Sequence, residues 1–330
     1  MKPLIPPRER GAALLAMLLL VAVMGALAVA ALERMRLSTA LAANTTALEQ
    51  ARAFALGVES LALLTIDDLG LADAERTTLA GGWNGATRRY PMPGGGIVSA
   101  TVADGGNCFN LNSLVEGEDL RSLRAREAGI RQFTGLMRVL GVPEDRARRI
   151  AEAAADWADS DQRPLPGGAE DAFYAALAEP YRTGDTLFAD VSELRAVAGM
   201  EPGIYHMLSP WLCALPTAGL SPLNPNTLLA GQGPLIAMFA PGRVTIEAAE
   251  QAIAARPPGG WENIVDFWSH PALLSAGLPL DAARQSQLRT RWFALDLEVE
   301  WDGASLRETA LIDAREAPSR VAARSWGSED

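Results

Sequence analysis

Apolar positions fall into three regimes along the chain. Residues 11–32, GAALLAMLLLVAVMGALAVAAL, carry no charge over 22 positions, and as a helix rising about 1.5 Å per residue they are long enough to cross a bilayer core. From residue 32 to 66 the sequence stays rich in Ala and Leu, with apolar positions at Leu37, Leu41, Leu48, Ala55, Val58, Leu61 and Ala62. That near-helical recurrence predicts an amphipathic helix continuing the first without a break.

The third regime mixes strands and helices. Residues 81–96, GGWNGATRRYPMPGGG, are punctuated by Gly and Pro and read as loop. They lead into IVSATVAD, Ile97–Asp104, an alternating strand stopped by Gly105 and Gly106. Comparable signals return only at residues 291–301 and 305–314, joined by the Asp302-Gly303 pair as a hairpin, with a short last strand at 320–324. Between them lie helical stripes at residues 120–140, 143–157, 170–177, 191–197, 204–212, 226–238 and 245–255. The prediction is an α+β fold: a long N-terminal helix packed on a small antiparallel sheet, interrupted by a large all-α insertion. The boundaries are a leader at 1–11, helix and first strand at 12–109, an insertion at 110–287 in two helical subdomains (110–210 and 211–287), and closing strands at 288–330.

The leader MKPLIPPRER sets Lys2, Arg8 and Arg10 against Glu9, which predicts a single-pass inner-membrane protein with a cytoplasmic N-terminus and its bulk in the periplasm. Three readings fit the apolar segment. A cleaved secretory signal has small residues available at Ala28, Ala30 and Ala31. A plain uncleaved anchor is the second. The third is a leader of the type IV prepilin kind, a basic stretch ending in glycine, cut on the cytoplasmic side between Gly11 and Ala12 so that the apolar helix is kept. The long amphipathic continuation favours the third, because it is the spine of a pilin-type fold. Filament subunits of that class carry a glutamate at the fifth mature position, where this chain has Ala16. A carboxylate there costs roughly 2.5–3.5 kcal/mol in the membrane. Its loss suits a tip subunit with no neighbour ahead, and suits a simple anchor equally.

The chain has 330 residues, 49% of them hydrophobic, and a formal net charge of -11. This leaves ample material for packed domains beyond the anchor and argues against a nucleic-acid surface. Cys108 and Cys213 lie 105 positions apart on the oxidising side of the membrane, which permits one disulfide; two buried thiols are the alternative.

Asp156, Asp159, Asp161, Glu170 and Asp171 bracket the turn-forming stretch QRPLPGG, an arrangement that can fold oxygen ligands onto a hard cation. No EF-hand order is present, and the plainer reading is a solvated loop whose carboxylates cap helices. SELRAVAGMEPGIYHML and NPNTLLAGQGPLIAMFAPGRVTIEAAEQAI have the cadence of SAM-like or helix-hairpin-helix units. That cadence raises the alternative of a membrane-anchored DNA receptor, but Arg243 and Arg256 are too sparse for a phosphate footprint, so no nucleic-acid partner is expected. Nor does the sequence point to an enzyme. His206 and His270 are far apart, Ser209 and Ser221 lack a GxSxG setting, and Asp159 with Asp161 forms no evident cleft.

Several segments together resemble the protein K family of the general secretion pathway, the large minor pseudopilins of type II secretion. They are ERG before AALLAMLLLVAVM, CFNLN at residues 108–112, DWADSDQRPLPGGAEDAFY at 156–174, PYR at 180–182, SELRAVAGM at 192–200, CALP at 213–216 and LNPNT at 223–227. Each is weak alone, and their order along nearly the whole chain is specific. The family lacks the filament glutamate, as this chain does. The resemblance implies a minor pseudopilin at the tip of the type II secretion pseudopilus that initiates or caps assembly and aids protein export. Its partners are other minor pseudopilins, the prepilin peptidase, the inner-membrane assembly platform and secreted cargo. A related competence or type IV pilus system remains the alternative. It further implies N-methylation of Ala12 after the cut at Gly11. It also implies calcium, up to two ions, in the insertion, with Asp159, Asp161, Glu170 and Asp171 as ligand candidates.

Overall fold

The computed structural model describes residues 9–274, 277, 280–301 and 303–327. Most of the leader, and Asp302 of the hairpin turn, lie outside the described residues. Helix α1, Glu9–Ala72, runs without interruption for 64 residues, roughly 95 Å at 1.5 Å per residue. It stops where the Asp73 carboxylate accepts hydrogen bonds from the backbone N–H groups of Glu75 and Arg76, both at 2.9 Å. Its first part, residues 11–46, is exposed along its whole length.

The second part of α1 lies on a five-stranded antiparallel sheet. The strands are β1 (Ala86–Pro91), β2 (Ile97–Asp104), β7 (Trp292–Trp301), β8 (Ala304–Asp313) and β9 (Arg320–Trp326), in that spatial order. Four two-residue strands, β3 (Phe109–Asn110), β4 (Val115–Glu116), β5 (Arg124–Ala125) and β6 (Leu212–Cys213), make small bridges elsewhere. Ala47, Ala51, Ala55, Val58, Ala62 and Ile66 form the buried stripe of α1, and their spacing of three or four is one helix face. The small alanines let the helix settle onto Val98, Ala100, Leu295, Leu297, Val299 and Ile312. The alternation in β7 is as its sequence suggests: Leu295, Leu297 and Val299 point inward while Ala294, Glu298 and Glu300 are exposed.

One strand is not where the sequence placed it. Residues 81–96, expected as loop, contain β1, which pairs along all of Ala86–Pro91 with β2. This edge strand is solvated on nearly every residue, so it has no alternation to reveal it.

The insertion leaves the sheet after Asp104 of β2 and returns at Trp292 of β7, and the two ends are neighbours because Asp104 pairs with Phe293. Its helices are α2 (Glu127–Val139), α3 (Glu144–Ala158), α4 (Asp171–Tyr174), α5 (Pro202–Leu208), α6 (Gly233–Ala237), α7 (Ile246–Ala254), α8 (Ile264–Trp268), α9 (Pro271–Leu274) and α10 (Leu280–Gln285). Three 3-10 turns lie at Leu111–Leu114, Val191–Ala196 and Ser209–Trp211. The halves on either side of residue 210 share one hydrophobic core, running from Phe109 through Leu136, Ile150 and Leu208 to Phe267.

Several stripes are shorter than their periodicity suggests. Of 226–238 only α6 is helical, because the backbone before it is held by side chains instead. Asn224 Oδ1 accepts from Asn226 N at 2.9 Å, and Asn226 holds Trp261 through its N–H at 2.6 Å and its carbonyl at 3.0 Å. Of 120–140, the first residues form the β4–β5 bridge.

A buried polar hub fixes the insertion to the end of the sheet. Asp104 accepts from the hydroxyls of Thr227 and Thr290. Asn107 donates to Thr227 Oγ1 at 2.9 Å, and Asn224 donates to the carbonyl of Thr77 at 3.1 Å. Thr77 follows closely on the last turn of α1, and its N–H donates to Leu288 at 2.8 Å. The insertion therefore sits at the end of α1 opposite the apolar segment.

Candidate functional site

The acidic run forms a buried carboxylate cluster, though not with the set of ligands the sequence suggests. Asp156 lies in the last turn of α3 and Asp159 caps its C-terminal end, while Glu170 is the N-cap of α4. One oxygen of each comes within 4.8 Å of the others, and all three residues are buried. Asp156 and Asp159 stand three apart and so share a helix face. Gly168 is what allows the returning loop to close over them, since a Cβ there would fall 1.8 Å from Asp156 Oδ2.

Among the four ligand candidates, the structure brings Asp159 and Glu170 into this group and leaves two outside it. Asp161 is exposed and accepts the N–H of Arg163 at 2.8 Å. Asp171 spends its Oδ1 on the N–H of Thr183, at 3.0 Å. Asp156 replaces them. The signal for it was its helical spacing from Asp159, which matters more than closeness along the loop. Asp185, which accepts the Thr183 hydroxyl at 2.7 Å, adds a further negative charge felt by Asp159 and Glu170.

The electrostatics of the cluster disfavour three ionised carboxylates side by side. Burial, reinforced by the neighbouring carboxylates, pushes Asp156 up to about 7, Asp159 to about 6 and Glu170 to about 8. Two of the three also sit at the negative end of a helix dipole, where carboxylates are disfavoured and cations favoured. Asp156 is relieved in part by the N–H of Leu165 at 3.0 Å. Both oxygens of Glu170 are buried without any hydrogen-bond partner. An unpaired buried carboxylate is costly, and a group of hard oxygen donors with unmet acceptors fits calcium or a cation like it.

Cys108 and Cys213 are joined as a disulfide, with Cα atoms 5.8 Å apart. It lies beside the parallel β3–β6 bridge, where Asn110 pairs with Cys213. Next to it, Asn110 accepts from Leu215 N at 3.0 Å and donates to the carbonyls of Thr217 and Gly219, both at 3.0 Å. Asn112 holds Phe188 through both its N–H and its carbonyl. The CFNLN and LNPNT segments are thus structural knots, whose amide side chains satisfy loop backbone that no helix or strand reaches.

At the other end, Gly11 and Ala12 are both within α1, at the start of a stretch whose composition and length allow it to cross a membrane.

Comparison with known proteins settles the lineage. The family model for type II secretion system (T2SS) protein K matches residues 107–217 and 223–291. Type II secretion system protein K of Pectobacterium carotovorum subsp. carotovorum is 32% identical over 97% of each chain. That of Klebsiella pneumoniae is 39% identical over 81% of each. The chain belongs to the type II secretion protein K family. A crystal structure of the GspK-GspI-GspJ complex from the enterotoxigenic Escherichia coli type 2 secretion system superposes with a TM-score of 0.72 at 29% identity. The match covers 85% of this chain and 97% of that one. The chain is a minor pseudopilin of type II secretion, anchored by its apolar helix, with the long helix, sheet and helical insertion that the sequence predicts.

Proposed function

We propose that this protein K stands at the tip of the periplasmic pseudopilus, where it initiates or caps assembly with other minor pseudopilins and aids export. One observation carries the reading. The insertion is fastened by Thr77, Asn224 and Asp104 to the end of the sheet at the far end of α1 from the membrane segment. In a filament rising from the membrane, that bulk projects upward, into the space that a preceding subunit would need. Ala16 in place of a carboxylate agrees, because a first subunit has no neighbour to neutralise one. The GspK of the solved complex is assembled with GspI and GspJ, which supports the corresponding subunits as partners here.

In this reading the chain is an inner-membrane protein with its N-terminus cytoplasmic and its body periplasmic. The prepilin peptidase cuts between Gly11 and Ala12 and methylates Ala12. The exposed face of α1 then leaves the bilayer for partner helices at the assembly platform, trading one apolar environment for another. Calcium is held by Asp156, Asp159 and Glu170. It neutralises the cluster and locks the loop between α3 and α4 against both helices, a structural role rather than a chemical step.

Intact mass measurement of protein from a secretion-competent cell tests the reading. Loss of residues 1–11 with one methyl group on Ala12, and co-purification with other minor pseudopilins, is the expected result. An unprocessed N-terminus overturns it.

A further inference from the structure

The joint between the spine helix and the sheet holds an uneven set of charges. Glu59 stands on the sheet side of α1 and Glu308 on the inner face of β8, and both are buried. One guanidinium serves the two of them: nitrogens of Arg324, from β9, lie within 3.0 Å of both carboxylates. Glu308 Oε2 is left buried with no hydrogen-bond partner. The surroundings are apolar, since β7 presents Leu295, Leu297 and Val299 to this interface, β8 adds Ala310, and β9 adds Val321 and Trp326. The charged groups that face Glu308 are Glu59 from α1 and Arg324 from β9. Two ionised acids against one guanidinium leave a net negative charge out of water, which is costly. A proton on Glu308 removes it. The neutral carboxyl also becomes a donor, with Glu59 within hydrogen-bond reach.

We propose that this trio is a proton-operated latch: with Glu308 protonated α1 is seated firmly on the sheet, and loss of that proton loosens α1 and β9 together. β9 is mostly solvated, so Arg324 is a principal tie between it and the helix. A second tie lies just ahead of it at Ser319, whose N–H donates to Asp67 at 2.8 Å and whose hydroxyl donates to the Leu63 carbonyl at 3.3 Å. Burial and the adjacent Glu59 push Glu308 up to about 7, which sets the direction: the latch is closed in mild acid and open above neutrality. The inference does not rest on the tip placement or on the metal.

The test is hydrogen exchange read by mass spectrometry, on the full chain in a neutral maltoside detergent, as a series from about pH 5.5 to about pH 8 corrected for the intrinsic exchange rate. Peptides covering residues 50–66 of α1 and 320–327 of β9 are the readout. Protection of both should fall about tenfold across the series in the parent. Glu308→Gln, a neutral stand-in for the protonated acid, should hold the protection level. Glu59→Gln should instead move the fall to lower pH, because a single acid then faces the guanidinium. Both variants keep the side-chain volume, and either decides alone if the other fails to fold. A parent whose protection does not fall overturns the proposal. So does a fall of equal size in Glu308→Gln, or a step that Glu59→Gln leaves in place.

Discussion

Glu59 of the spine helix and Arg324 of the last strand form a forked ion pair, with Arg324 Nη2 at 2.7 Å and 2.6 Å from the two carboxylate oxygens. Arg324 Nε also reaches Glu308 of β8 at 3.0 Å. Both carboxylates are buried, and the guanidinium is about a third exposed, 32%. One arginine thus ties the helix to two strands of the sheet it rests on. Removing it strands two buried acids, so Arg324→Met should destabilise the pilin domain by about 3 kcal/mol, the lower end of the range because of that exposure. Adding Glu59→Gln and Glu308→Gln should restore most of the loss in a denaturant titration.

The same site gives a pH dependence of known sign. Burial and the adjacent Glu59 push Glu308 up to about 7, so the folded chain keeps a proton there that the unfolded chain releases near the ordinary carboxylate value. Its contribution to stability is complete below that value and is lost as pH rises toward about 7. Glu308→Gln should therefore flatten the pH–stability profile between about pH 4.5 and 7 relative to the parent. An unchanged difference profile across that window counts against the assignment.

Calcium should raise the melting temperature of the insertion, and by more at pH 8 than at pH 5. Protons compete for Asp156, Asp159 and Glu170, whose carboxyls burial holds at about 7, 6 and 8. Asp156→Asn or Glu170→Gln should abolish the increment, while Asp161→Asn should leave it largely intact. Scanning calorimetry with calcium and with a chelator reads this directly. Terbium offers a second readout, because Trp157 adjoins Asp156 in the chain and its ring packs on Tyr174 at 5.4 Å.

Replacing Cys108 and Cys213 together by alanine should cost about 4 kcal/mol, since the bond closes a loop of 105 residues in the unfolded chain. The same loss should follow reduction of the parent. A melt unaffected by reductant would contradict it.

Asn110→Leu should cost more than an ordinary surface change. It leaves the buried Leu215 N and the part-buried carbonyls of Thr217 and Gly219 without their partners, at about 1–3 kcal/mol for the buried group so stranded and less for the other two. Proteolysis should then nick the segment around residues 213–220 first.

The strongly periodic parts of this fold were legible in the sequence because one physical requirement dominates each. Uncharged length declares the membrane part of α1, and alternation declares β2 and β7. The edge strand β1 was not legible: Thr87, Arg88 and Arg89 all face water, so only pairing with β2 defines it. The stretch before α6 misled because its apolar spacing is helical while its backbone is claimed by Asn224 and Asn226. In the carboxylate cluster, the acidic run pointed to the right loop, but contiguity favoured Asp161 and Asp171. The helix geometry that turns Asp156 toward Glu170 becomes visible only when α3 is known to end at Ala158.

The adjacency of Asp104 and Phe293 has a consequence in time. β2 is made early, yet its central partner β7 follows roughly 190 residues later, so one side of β2 must wait, unpaired, until β7 has been made. Closing so distant a contact is slow for an unstructured connector. A pre-folded insertion whose two ends already touch shortens the search, and the order of maturation follows: the helical body first, the sheet last, and readiness for assembly only after the final hairpin has arrived.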